Sequence, residues 1–179
     1  MRSFVITLVV AGAALAAVTA ADAQQPPAAP AAPPAAAPAP PPPPPPYGEA
    51  LNLETAKKAA AAAAAEAAKN NWPMCIAVVA PSGDLVYFER MDNCQYASIN
   101  IAQHKARAAA TFRRPTLVFE TLLGKGPEFT YLTTLDGMIG SRGGNPIVMN
   151  GKLVGAIGVS GGTGAQDDQV SQAGLAALK

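Results

Sequence analysis

The distribution of proline sets the first limit on what this chain can fold into. Thirteen of its 18 prolines fall between Pro26 and Pro46, ending in an unbroken run from Pro40 to Pro46. Proline fixes φ and lacks a backbone N–H, so such a run cannot join a hydrogen-bonded ladder and favours extended polyproline II. A hydrophobic core is therefore expected only over residues 48–179, which is long enough for one domain but not for two.

The proline segment separates this domain from the N-terminus. Residues 24–47 are almost only Pro and Ala and are predicted to form a disordered linker. We interpret this linker as a semi-rigid spacer. A ligand for a proline-binding domain is the alternative interpretation.

The first 23 residues have the pattern of an export signal. Arg2 precedes an apolar stretch over Phe4–Ala17, and Ala21-Asp22-Ala23 fits the small-x-small pattern that signal peptidase cleaves. An uncleaved membrane anchor is the alternative. Cleavage after Ala23 predicts a periplasmic or secreted protein, and no later apolar stretch approaches the ~20 residues that a membrane span needs.

Charge and cysteine content exclude several classes of function. The net charge is +1 and no basic run occurs, which disfavours nucleic-acid binding. Two cysteines and one histidine cannot build a finger-type zinc site. Gly-x-Ser-x-Gly and His-Glu-x-x-His motifs are absent, so a conventional hydrolase is disfavoured. An oxidising compartment favours a bond between Cys75 and Cys94, but their positions in the sequence leave the pairing open.

Local patterns predict an α+β domain. Alanine-rich or amphipathic character predicts three helices, over Leu53–Lys69, Ser98–Phe112 and Asp167–Leu178. The last of them begins with two acidic residues, which suit the positive end of the helix dipole. Two β-hairpins are predicted. The first pairs Met74–Ala80 with Leu85–Arg90, and the second pairs Pro146–Met149 with Leu153–Ser160 across the turn Asn150-Gly151. Residues 117–140 are expected to hold a short helix and an irregular crossing. Hairpins rather than long crossovers indicate an antiparallel sheet.

A glycine-rich segment over Gly155–Gly164 lies between the last predicted strand and helix. Backbone N–H groups in such a loop can bind an anion, but no Lys-Ser/Thr pair follows and Asp167 would repel a phosphate. A structural turn is the favoured interpretation and an anion site is the alternative.

His104 is the only histidine and lies in the middle of the second predicted helix. A solvated or packed side chain is the ordinary role for such a residue, and axial ligation of haem iron is the alternative that we carry forward. Arg107 shares its helix face at i, i+3. Arg113 and Arg114 lie roughly 14 Å further along, comparable to the span of a porphyrin, and suit its propionates. With Thr111, these residues make up the candidate haem site.

Four other side chains are alternative iron ligands: Tyr87, Met91, Cys94 and Tyr96. No pattern in the sequence selects one of them over His104.

Short motifs carry a family resemblance along nearly the whole domain. They occur in the first hairpin, the second helix and its exit, and the C-terminal third, over 76–79, 83–86, 88–92, 97–98, 105–107, 109–110, 112–116, 143–147, 151, 154–162 and 166–167. Together they resemble the GlcG/HbpS family of haem-binding and haem-degrading proteins. Two positions depart from its pattern, because Asn93-Cys94 replaces a more usual Gly-Ala and Ala108 stands where Thr is common.

The resemblance implies a profilin-like α+β fold with an antiparallel five-stranded sheet flanked by helices. It also implies a homo-oligomer and, in secreted members, haem binding outside the cytoplasm. The first hypothesis for function is therefore an exported haem-binding protein that buffers haem or iron.

Two further hypotheses remain. One is a cofactor-free decarboxylase, lyase or isomerase acting on a small organic acid or aromatic compound, in which Glu89 or Asp92 assists the arginines. The other is a non-catalytic assembly or sensor-accessory protein, which the proline spacer supports.

Overall fold

A computed structural model describes residues 42–179. The predicted signal peptide, residues 1–23, and most of the predicted linker, residues 24–41, lie outside the described residues. Within 42–179 no helix is both long and apolar enough to cross a membrane.

Helix α1 spans Leu53–Lys69, as predicted. It begins there because the side chain of Asn52 accepts a hydrogen bond of 2.9 Å from the backbone N–H of Thr55. Alanine has the highest helix propensity, and the alanines on one side of this helix are fully buried. Small side chains on that side bring the helix axis close to the sheet.

The sheet is built from two hairpins. Strand β1, Cys75–Val79, pairs antiparallel with β2, Leu85–Arg90. Strand β3, Gly144–Met149, pairs with β4, Lys152–Ser160. Asn150 and Gly151 have φ values of 51° and 75°, the left-handed conformations that a tight two-residue turn requires.

The sheet has four strands in the order β2-β1-β4-β3, all antiparallel where they pair. The prediction of an α+β fold with an antiparallel sheet is confirmed, whereas the prediction of five strands is wrong for residues 42–179. Tyr47 makes only an isolated parallel bridge to Leu153, beside β4 where β1 has already ended. The profilin-like classification stays a prediction.

The chain before α1 is tied to this sheet. Leu153 donates its backbone N–H to the carbonyl of Pro46, and Gly48 and Leu51 donate to the carbonyls of Leu153 and Val154. The backbone of Pro46, at the end of the predicted linker, therefore already contacts β4.

Helices cover both faces of the sheet. Helix α1 and the last helix, α4, Gly164–Ala176, pack together against one face. Helix α2, Ala97–Thr111, packs against the opposite face over β1, β4 and β3. Helix α3, Leu117–Leu123, and a 3₁₀ helix over Pro127–Thr134 form the crossing that follows α2.

Helix α4 begins three residues before the predicted start at Asp167. Thr163 and Gln166 form a capping box, in which each side chain accepts a hydrogen bond from the other's backbone N–H. This box sets the start at Gly164 and places Asp167 within the first turn.

Helix α2 lies directly against the sheet because two glycines face it. A Cβ on Gly158 would lie 2.2 Å from the carbonyl oxygen of Ala102 and 2.4 Å from the backbone nitrogen of Ala106. A Cβ on Gly144 would lie 2.3 Å from the carbonyl oxygen of Lys105. Any side chain at either position would push the helix away from the strand.

We expect Gly158→Ala to lower the free energy of unfolding by about 3 kcal/mol or more, because the new methyl group meets backbone that cannot move alone. Gly124→Ala is the matched control, since a Cβ there meets only ordinary contacts at 3.5 and 3.6 Å. The control is expected to change stability by less than about 1 kcal/mol. Urea unfolding measures both, and equal stabilities for the two variants would contradict this packing.

Candidate functional site

The face of α2 that points away from the sheet carries the only histidine. Ala102, Ala106 and Ala109 are fully buried against the sheet. His104 and Arg107 lie on the other side of the helix, where they share one face at i, i+3 as predicted. His104 is half-buried and Arg107 is exposed.

A cleft of about 590 Å³ opens beside His104. Helix α2 and the segment after the 3₁₀ helix line it with Asn100, Gln103, His104, Arg107, Asp136 and Gly137. All of these residues except glycine have polar or charged side chains, so the cleft brings together an imidazole, a guanidinium and a carboxylate.

A close contact with the first hairpin fixes Arg107. Its Nε donates a hydrogen bond of 3.4 Å to the carbonyl of Gly83. Gly83 has a φ of 91°, and a Cβ there would lie 2.8 Å from Cγ of Arg107. The turn between β1 and β2 therefore accepts only glycine without moving this side chain.

The other predicted site residues lie away from this cleft. Arg113 and Arg114 line a second cavity of about 540 Å³ together with Pro42–Pro45, Pro115 and Val118. Thr111 lies beside Tyr47, and its backbone carbonyl accepts a hydrogen bond of 2.9 Å from the tyrosine hydroxyl. The structure thus places His104 and Arg107 in one cleft and the remaining predicted residues outside it.

Residues at the end of the proline segment contact the side chain of Arg113. Its guanidinium lies 5.1 Å from the centre of the Tyr47 ring and donates a hydrogen bond of 3.4 Å to the carbonyl of Pro45. Arg113 has a φ of 54°, which turns the chain out of α2. Arg114 donates from Nε to the carbonyl of Phe112.

A buried ion pair lies beneath α2 and was not predicted. Nζ of Lys105 lies 2.6 Å from a carboxylate oxygen of Asp167, and the two side chains are only 1% and 4% exposed. Asp167 also accepts a hydrogen bond of 3.0 Å from the backbone N–H of Gly162. Burial raises the pKa of the Asp167 carboxyl, while the ion pair with Lys105 and the hydrogen bond from Gly162 oppose that effect.

This pair connects α2 to the glycine-rich loop and the start of α4. The favoured interpretation of that loop as a structural turn agrees with its contacts, because Asp167 faces inward to Lys105 and holds the loop backbone. One sequence signal did mark Lys105, since it lies on the same helix face as Ala102 and Ala109. A charged residue on an otherwise alanine face needs a buried partner.

A second, partly exposed ion pair closes the crossing after α2. Arg142 donates from its backbone N–H and its Nε to the two carboxylate oxygens of Glu120, each over 2.7 Å. The hydrogen bond from the Arg142 side chain holds the pKa of the Glu120 carboxyl below its ordinary value. This pair fixes the chain between the 3₁₀ helix and β3.

The described part of the chain holds no group of three or more His, Cys, Asp or Glu side chains that would form a metal site. Glu89 accepts a hydrogen bond from the Tyr87 hydroxyl, and Asp92 is exposed in the loop after β2. Neither carboxylate lines the cleft beside His104.

Comparison with known proteins identifies the family. Residues 51–176 match the family described as haem degrading protein HbpS-like. The chain is 42% identical to Protein GlcG of Escherichia coli (strain K12) over 94 residues, which cover 52% of this chain and 69% of that protein. This chain belongs to the HbpS-like family.

Two solved structures extend the comparison to the HbpS-like fold. A double mutant of Streptomyces reticuli HbpS matches with a TM-score of 0.68 at 33% identity, covering 74% of this chain and 90% of that one. PduOC, solved as a complex with haem, matches with a TM-score of 0.66 at 25% identity, covering 72% of this chain and 94% of that one. The predicted family membership is confirmed.

Lys105→Met should lower the free energy of unfolding of this HbpS-like domain by about 3–5 kcal/mol, because it leaves the Asp167 carboxylate buried without its partner. Adding Asp167→Asn should restore part of the loss, since it removes the unpaired charge. Lys125→Met, at an exposed position, is the control. A loss below about 1 kcal/mol for Lys105→Met would contradict this role, because exposed ion pairs contribute that little.

Glu120→Gln tests the second pair through its pH dependence. Since the folded pKa of Glu120 lies below its ordinary value of 4.5, the pair stabilises the fold above that pH and loses this contribution as pH falls through the folded pKa. We expect the variant to melt at a lower temperature than the unmodified protein at pH 7 and at a similar one in strong acid. Glu49→Gln serves as the control, and a difference that is independent of pH would exclude the ion pair as its cause.

Proposed function

We propose that this protein binds haem, with the imidazole of His104 as a ligand to the iron and Arg107 as a partner for a propionate. Family membership and the haem complex of PduOC support haem as the ligand class. The observation that carries the site is that one cleft contains the only imidazole of the chain and a guanidinium.

The donor set of the cleft fits the iron and the acidic groups of haem. Neutral imidazole is a common axial ligand, and guanidinium groups bind carboxylates through charge-assisted hydrogen bonds. The contact of Arg107 with Gly83 limits where its guanidinium can reach, so Arg107 would orient the propionate edge. Bound haem would supply the iron chemistry, and the protein would hold and orient the group.

The apolar part of haem finds no apolar side chain in the lining of this cleft. Proline and valine side chains do line the second cavity, beside Arg113 and Arg114. We therefore keep Arg113, Arg114 and Thr111 as candidate contacts for the far edge of the haem. Arg113 becomes accessible to it only if its contacts with Pro45 and Tyr47 are released.

We also propose that binding takes place outside the cytoplasm and serves to buffer haem or iron. Arg2, the apolar stretch after it and Ala21-Asp22-Ala23 support export, as a sequence pattern. The homo-oligomer implied by the family resemblance stays a prediction.

The polar lining of the cleft favours a second function. Asn100, Gln103 and Asp136 offer hydrogen bonds suited to a small organic acid whose carboxylate binds Arg107. In a cofactor-free decarboxylase, lyase or isomerase of this kind, His104 would transfer a proton to or from the bound acid. Glu89 and Asp92 have no part in this version, because they lie outside the lining.

Haemin titration of the full chain tests the proposed function. We expect a saturable shift of the Soret band, and His104→Ala should move its maximum and weaken binding. Arg107→Ala should weaken binding by about tenfold, the effect of one lost charge-assisted hydrogen bond, without moving the maximum. Lys58→Ala, an exposed change on α1, is the control for altered net charge.

The variant Arg114→Ala tests whether haem reaches the second cavity. If it does, the substitution should weaken haem binding without changing the spin state of the iron. A Soret band that neither shifts nor saturates would overturn the haem proposal. In that case, binding of a short carboxylic acid that is lost in Arg107→Ala would support the second function.

A further inference from the structure

The two cysteines lie side by side in the core beneath α2. Cys75 begins the central strand β1 and is the cross-strand partner of Ser160 in β4. The sulfur of Cys94, from the loop between β2 and α2, lies 3.8 Å from the carbonyl oxygen of that same Ser160. Both side chains belong to one buried cluster packed against α2, and both thiols are free.

Contacts of the main chain hold the loop that carries Cys94 beside the start of β1. Arg90 donates to the carbonyl of Cys94 from Nη2 over 2.9 Å and from Nε over 3.2 Å. Its guanidinium also lies 4.8 Å from the centre of the Tyr96 ring. The backbone N–H of Met91 donates to the carbonyl of Met74, which anchors the loop beside the start of β1.

We propose that Cys75 and Cys94 are a redox site that forms a reversible disulfide within one chain. Because both cysteines lie against Ser160, the bond can form without moving either main-chain segment far. Neither the proposed haem site nor the family comparison uses these residues. Predicted export would bring the pair into an oxidising compartment, where such bonds persist.

The surroundings of the two thiols set the order of reaction. Asp92, Asn93 and Gln95 are exposed on either side of Cys94, and Asn93 has a φ of 64°. Local opening of this short loop exposes Cys94, whereas Cys75 lies in a strand paired on both edges. Burial also raises the pKa of the Cys75 thiol to about 12, which keeps it protonated and unreactive at first.

The chemistry is thiol–disulfide exchange with a low-molecular-weight disulfide, such as oxidised glutathione, as the oxidant. The Cys94 thiolate attacks one sulfur of the oxidant, its S–S bond breaks, and one thiolate leaves. The Cys75 sulfur then attacks the Cys94 sulfur of this mixed disulfide, and the Cys75 proton passes to the second departing thiolate. Two protein thiols are oxidised, and one external disulfide is reduced to two thiols.

The cross-link would tie the loop that leads into α2 to the central strand. It closes a loop from residue 75 to residue 94, which constrains the unfolded chain. For a domain of this length, we expect the disulfide to raise the midpoint of thermal unfolding by about 10 °C.

The test treats the reduced full chain with oxidised glutathione and counts free thiols in denaturant. We expect two free thiols before treatment and none after it. In denaturant the oxidised protein should have the mass of a single chain with no glutathione attached, and digestion should yield linked Cys75 and Cys94 peptides. The midpoint of unfolding should rise on oxidation and return on reduction with dithiothreitol.

Single variants check the assignment and the order of attack. In Cys75→Ala, Cys94 should accept one glutathione, and in Cys94→Ala, Cys75 should remain a free thiol. Neither variant should gain stability on oxidation.

Two results would overturn the proposal. The first is a pair of free thiols in the oxidised full chain, and the second is a disulfide that joins two chains. Because neither measurement involves haem, both outcomes are independent of the haemin titration.

Discussion

The close approach of α2 to the sheet is the contact on which the rest of the domain depends. Gly158 and Gly144 have no side chain between strand and helix, so the carbonyls of Ala102 and Lys105 lie directly against them. This contact fixes the rotation of α2 about its axis, because any other face would place larger side chains against the strands. The same rotation turns Lys105 inward and His104 outward.

The buried pair of Lys105 and Asp167 then joins this helix to α4. The energetic role of such a pair lies mainly in what its disruption costs, because a single remaining charge has no water to solvate it. Asp167 also accepts a hydrogen bond from the loop at Gly162, so one carboxylate holds a helix and a loop together. The charged residues of α2 therefore have two roles: Lys105 forms a structural ion pair on the side that faces the sheet, and Arg107 lines the polar cleft on the opposite side.

Features that depend on neighbours in sequence were predicted well. The bounds of α1 followed from Asn52 and the alanines after it, and the second hairpin followed from Asn150-Gly151. Asp167 predicts a start of α4 at that residue, but the helix begins at Gly164 because Thr163 and Gln166 form a capping box. The acidic residue and the capping box are both local signals for a helix start, and the structure shows that the capping box sets the start of α4.

Features that depend on distant residues were not predicted. Lys105 and Asp167 are 62 positions apart, and no local pattern connects them. The i, i+3 spacing correctly put His104 and Arg107 on one helix face. It gave no indication that Asp136 would complete the cleft, because that residue comes from an irregular crossing. The spacing also gave no indication that Arg113 would contact Tyr47. That contact forms because the left-handed backbone of Arg113 turns this residue toward the proline segment.

The central functional claim is that His104 ligates the iron of bound haem, and the composition of the chain permits a direct test. Because the chain has one histidine, protein labelled with ¹⁵N-histidine gives imidazole signals from His104 alone. On addition of one equivalent of ferric haemin, ligation should broaden these signals or shift them far outside the normal range, because the unpaired electrons of the iron act on a directly bound nitrogen. Unchanged imidazole signals in a sample whose Soret band shows haem to be bound would contradict the claim.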